Sequence, residues 1–93
     1  MVNALRIHPQ DTVVVALSDL PQDVRLAWAG MEEKVELTTR RPIPFGHKVA
    51  IVAIRQGEAV IKYGASIGLA TQDIAPGDHV HVHNLRSVRG AAQ

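Results

Sequence analysis

The sequence predicts a small, mostly β domain of short strands and tight turns, with at most one short helix. Three observations predict it. First, a turn of the form I-x-x-G-x-x-V recurs at Ile43–Val49, Ile54–Val60 and Ile74–Val80, and Leu20–Val24 reads as a degenerate copy with Asp23 in the glycine place. Glycine supplies the left-handed conformation that closes such a turn, proline pre-sets its φ, and β-branched flanks start and end strands. Second, aromatic residues make up only 3% of the chain, so the core must come from Val, Ile, Leu and Ala. Third, within Gly77 to Leu85 the run His79 to His83 alternates histidine with valine, a period of two. A length of 93 residues bounds the chain to one small domain, 1–93.

The elements follow in order. Strands are expected near Thr12–Leu17, Val35–Thr39, Val49–Ile54, Ala59–Lys62 and His79–Leu85. Val24–Trp28 is ambiguous, because helix formers are frequent between Leu20 and Ala29. Gly30 and Glu32-Glu33-Lys34 mark one loop, and Gly64 to Gly68 a second, anchored by Ile67. Ser87 to Gln93 reads as a frayed end. There is no linker or low-complexity tract.

Composition excludes several function classes. The net charge is +1, the basic residues are dispersed and aromatic stacking surface is scarce, so nucleic acid is not an expected partner. Arg86 and Arg89 read as a solvated tail. The absence of cysteine removes disulfides, thiolate metal sites and Cys nucleophiles. The longest apolar run, Val49–Ile54, is too short for a membrane span, and no secretory signal is visible; a cytoplasmic location is expected. A chain this short rarely encloses a whole active site, so a partner protein or a second copy of the chain is expected.

Three of the five histidines, His79, His81 and His83, stand at every second position. In a strand they share one face, about 6–7 Å apart, which lets two imidazoles reach one ion. Val80, Val82 and Leu85 are left for packing. The plainer alternative is an edge strand that happens to be His-rich. His47 follows the same kind of turn and can add a ligand, so His47, His81 and His83 are expected to converge on one pocket. Lys62 can pair with a carboxylate, Tyr63 can relay a proton, and Ser66 can offer a hydroxyl and backbone amides to an anion. Asn84 either orients a histidine or caps the strand end. His8 is expected to be peripheral. Asp19, Glu32, Glu33, Arg40 and Arg41 read as solvated charges.

Taken together, Gly46-His47-Lys48-Val49-Ala50, Lys62-Tyr63-Gly64-Ala65-Ser66-Ile67-Gly68 and His79-Val80-His81-Val82-His83-Asn84 resemble the SAF domain of the altronate and galactarate dehydratases. They also resemble the small subunit of sulfolactate sulfo-lyase. The likeness runs from about His8 to Arg86. It implies a SAF-type β-clip fold and a lyase that removes water, or sulfite, from a small anionic sugar acid or related acid. It implies a divalent metal, such as iron, held by His79, His81 and His83. It implies catalytic roles for His47, Lys62 and Tyr63, and substrate binding by Lys48, Ser66 and Asn84. The large catalytic region of the full-length dehydratases is missing, so a separately encoded large subunit is the implied partner. Met1 and the tapering C-terminus fit a stand-alone subunit, inactive alone. A non-catalytic module that grips a sugar or a protein is the alternative of another class.

Overall fold

The computed structural model describes residues 2–31 and 36–87. Seven short strands run in order: β1 (Ala4–Leu5), β2 (Val13–Ala16), β3 (Lys48–Ala50), β4 (Ala59–Lys62), β5 (Ala65–Ala70), β6 (His79–Val80) and β7 (Leu85–Arg86). Among the described residues there is no helix, so Arg25 in the ambiguous stretch forms a bridge to Thr38 instead. One sheet has the order β1-β2-β3-β6 and the other β4-β5-β7, all antiparallel.

The repeated turns do what their sequences predict. Gly46, Gly57 and Gly77 have φ of 81°, 88° and 91°. The residue after each glycine donates its N–H to the carbonyl three places back, on Pro44, Arg55 and Ala75. A positive φ in third place with that bond is a type II turn. In the degenerate copy Asp23 takes φ 65°. There the buried Thr39 hydroxyl bridges the turn, donating to the Pro21 carbonyl (2.6 Å) and accepting from the Val24 N–H (3.0 Å). Bridges Leu20–Ile43 and Ile54–Ile74 tie the turns in pairs.

Both faces of the first sheet are covered. Val14, Ala16 and Val49 face one cluster with Leu20, Leu26, Trp28 and Ile43. Val13, Ala50 and Val80 face another with Ile54, Val60, Ala70 and Ile74. The second cluster joins the two sheets, and Thr12 links their backbones: its N–H donates to the Ile61 carbonyl and its hydroxyl accepts the Ile61 N–H, both at 3.0 Å.

Four expectations change. The strand expected over Val49–Ile54 ends at Ala50, where the chain turns toward the Ile54–Ile74 bridge. That expected over His79–Leu85 breaks after Val80, because the Asn84 side chain folds residues 81–84 into a turn. Val82 therefore lies 81% exposed at the turn instead of packing. Gly64–Gly68 is no loop. Tyr63 and Gly64 (φ 56° and 76°) form a two-residue hairpin turn, and β5 starts at Ala65. Gly68 is in that strand because a Cβ there would collide with the Arg86 carbonyl of β7. Of the region expected as a strand over Val35–Thr39, Thr38 makes only the isolated bridge; Val35, Glu32 and Glu33 lie outside the described residues, as do 88–93.

Candidate metal and anion site

The site is built by the β3–β6 register. Val49 pairs with His79 and Lys48 with Val80. Continued by one place, that register sets His47 opposite His81. Strand alternation then puts His47, His79 and His81 on one face. The rings stack accordingly: His47 and His81 have centroids 4.3 Å apart, His47 and His79 5.0 Å, and His79 and His81 5.4 Å. His47 Nδ1 and His79 Nε2 are 2.8 Å apart, one ring donating to the other. One nitrogen from each of the three rings lies within 4.8 Å of the others, and all three are half-buried.

Two local features place these rings. At the second and third turns, the residue after glycine is an acid that braces the turn: Glu58 accepts from the Arg55 N–H (2.7 Å) and Asp78 from the Ala75 N–H (2.9 Å). At the first turn that place belongs to His47. Its side chain is free of the bracing task, and Asp19 accepts the Phe45 N–H from outside (2.8 Å). The second feature is Asn84. Its side-chain oxygen accepts the His81 N–H and its amide donates to the His79 carbonyl, both at 2.9 Å. Asn84 thus orients the backbone of two histidines by closing the turn between β6 and β7.

Crowding keeps His79 neutral. Burial, then the charges of His47, His83, His81 and Lys48, push its pKa down from 6.5 to about 4. A neutral imidazole is the form that binds a metal. His83 differs from the other three. Its ring is 5.4 Å from that of His79 but tilted by 40°, it is exposed, and it is outside the close trio.

Lys62, Tyr63 and Ser66 gather at the β4–β5 hairpin, beside an open groove of about 430 Å³ that they line with Ala65, Ile67 and Ser87. Lys62 Nζ lies 4.7 Å from the Tyr63 ring centroid. Lys48 is half-buried, and its pKa is lowered by burial and then by the charge of Lys62. Its charge is the smallest cause of the lowered pKa of His79, and the strand register turns Lys48 to the sheet face opposite to the trio.

Sequence reasoning missed Asp11. This buried carboxylate accepts the Gly64 N–H at 2.8 Å and the His8 N–H at 3.0 Å. Burial alone would raise its pKa, but backbone donors from Gly64, His8, Tyr63 and Ile7 outweigh that and lower it. Asp11 therefore clamps the hairpin that carries Lys62 and Tyr63. His8, expected to be peripheral, packs against Gly64 so closely that a Cβ there would lie 2.8 Å from its ring. The signal was weak: a single Asp before a strand reads as a turn residue. Two charges expected to be solvated are engaged, Asp19 at Phe45 and Arg40 in an ion pair with Asp78 at 3.0 Å.

Comparison with known proteins agrees with the motifs. Residues 2–88 match the family model of the altronate/galactarate dehydratase SAF domain. Altronate dehydratase of Bacillus subtilis is 39% identical over 87 residues, 94% of this chain, and that of Escherichia coli 42% over 83 residues, 89% of it. The chain spans only 17% and 16% of those two proteins. The (2R)-sulfolactate sulfo-lyase subunit alpha of Paracoccus pantotrophus is 47% identical over 53 residues, 57% of this chain and 79% of that subunit. A match over nearly all of its length makes this chain a member of the altronate/galactarate dehydratase SAF domain family.

Proposed function

We propose that the chain is the small subunit of a cytoplasmic, metal-dependent lyase that dehydrates a sugar acid together with a separately encoded large catalytic subunit. The observation that supports this most is the convergence of His47, His79 and His81, with nitrogens within 4.8 Å of one another. The donor set fits a divalent ion such as iron. His47 Nδ1 and His79 Nε2, joined through one proton at 2.8 Å, would have to lose that proton and open to about 3–3.4 Å to bind one ion at about 2.1 Å each.

β-Elimination needs a base for the proton α to a carboxylate and stabilisation of the negative charge that develops. A bound divalent ion would supply the second by polarising the carboxylate and hydroxyl oxygens. His47, His79 and His81 would hold the ion. Asn84 fixes the backbone from which two of them project. Tyr63 and Lys62, held by the Asp11 clamp, carry the proton-transfer roles. Lys48 and Ser66 contact the acid.

A second reading is favoured by one observation. The sulfo-lyase subunits alpha are themselves short, and the aligned segments cover 62% and 79% of their lengths. On that reading the leaving group is sulfite and the same residues serve. The test is co-expression with a large dehydratase-like subunit, then an assay of the complex on hydroxy-acids and sulfo-acids. Release of water from a sugar acid supports the first reading and release of sulfite the second. A complex that binds acids without turnover leaves a non-catalytic binding module as the better account.

A further inference from the structure

We propose that the open part of the first sheet, formed by Leu5, Ile7, Val15 and Leu17, is the surface on which the large subunit docks, through an apolar segment with an acidic rim. The inference deepens the function proposed above and rests on its partner.

The register defines the patch. Leu5 pairs with Val15, Val15 with Lys48, and Lys48 with Val80. Strand alternation puts these four on one face, together with Val13 and Ala50. Leu17, whose N–H donates to the Asn3 carbonyl, continues that face at the end of β2. Ile7 continues it two places beyond Leu5. The cover that the second sheet gives this face is partial: Val13, Ala50 and Val80 are buried with Ile54, Val60, Ala70 and Ile74. Leu5, Ile7 and Leu17 are exposed, Val15 is half-buried, and none of the four belongs to either core cluster. A solvated sheet face ordinarily carries polar residues, and aliphatic side chains gathered on one mark an interaction surface.

Length and charge name the occupant. The altronate dehydratases of Bacillus subtilis and Escherichia coli match 94% and 89% of this chain with only 17% and 16% of their own length. In those relatives a domain of this kind therefore works beside a much larger body of protein. Lys48, half-buried, is the one ionisable side chain in the paired rows of the patch. A two-fold contact between copies would set each Lys48 against the basic side of the other patch, and like charges across an interface are costly. A partner with carboxylates around an apolar centre meets the patch without that cost. The position fits as well. Leu17 follows Ala16, whose N–H donates to the His47 carbonyl and whose carbonyl accepts the Gly46 N–H, both at 2.9 Å. The patch thus reaches the end of the sheet that carries His47, from the face that the rings do not occupy.

The test measures by calorimetry the affinity of the chain for the large subunit. A Leu5→Thr, Leu17→Thr variant keeps a strand former at both places and should bind about tenfold or more weakly. Val52, as exposed as Leu17 but outside these rows, supplies the control, and Val52→Thr should bind like the parent chain. Lys48→Glu should weaken binding and Lys48→Arg should preserve it. Thermal melts should be alike in the parent, the double Thr variant and the control, because the substituted side chains are exposed. Parent-like affinity in the double Thr variant overturns the docking surface and leaves the partner in place. An equal loss in Val52→Thr overturns it too. A parent chain that binds no large subunit removes partner and surface together. Sedimentation of the chain alone tests the other occupant: a dimer that the double Thr variant abolishes gives the patch to a second copy and overturns the proposal.

Discussion

His79 is the residue at which fold and chemistry meet. It is held neutral by burial and by three neighbouring histidines, with a pKa near 4 against 6.5 in the unfolded chain. As pH falls from 6.5 toward 4, the unfolded chain takes up a proton that the folded His79 refuses. Stability contributed by this group is therefore lost across that window and changes no further below it. Chemical denaturation at several pH values should show the loss, and His79→Gln should flatten it; an unchanged slope in that variant contradicts the assignment. Asp11 acts lower on the scale. Its folded pKa is below 3.8, so the stability it gives is lost only as pH falls through and below that value. Asp11→Ala leaves the Gly64 and His8 amides without their partner and should cost about 1–3 kcal/mol. In hydrogen exchange, the protection lost should centre on residues 62–66.

At the scale of elements, the turns carry the fold, and they were the most legible part of the sequence. The I-x-x-G-x-x-V signature located all three type II turns, and even the copy with Asp23 in the glycine place adopts the positive φ that the pattern demands. Strand β4 was read to the residue, because a turn bounds it on each side. Strand ends set by tertiary contacts were not legible. The Asn84 side chain stops β6, and the approach of Arg86 explains a glycine that looked like loop. The histidine site was legible as a period of two, which set His79 and His81 on one face. The place of His47 needed the β3–β6 register, a non-local fact, and the turn closed by Asn84 leaves His83 out of the trio. The turns also give an internal comparison. Gly77→Ala must accommodate the Thr38 carbonyl as well as φ 91°, whereas Gly57→Ala meets only the backbone strain of φ 88°. The first should destabilise by about 2 kcal/mol or more, and the second by about 1 kcal/mol. Thermal melts that rank them the other way would contradict the close packing of the third turn on Thr38.

At the scale of the molecule, the site is an open edge and not an enclosed cavity. The histidine trio is half-buried, and Phe45 and Val82, each within two places of a trio histidine in the sequence, are 65% and 81% exposed. A surface of this kind suits a half-site that a larger subunit completes. The purified chain should therefore show no measurable turnover of any sugar acid, with activity appearing only on addition of the large subunit; robust turnover by the chain alone would remove the argument for a partner. Cobalt titration of the chain shows whether His47, His79 and His81 hold one divalent ion. One ion should bind per chain, with visible absorption bands of a nitrogen-ligated cobalt and perturbed ring resonances of these three histidines. A His47→Ala, His81→Ala variant should lose both signals while keeping its amide spectrum, since Val49 and Val80 still carry the packing. Cobalt bound with equal affinity by that variant, or no binding by the folded parent chain, would mean that these three histidines hold no ion.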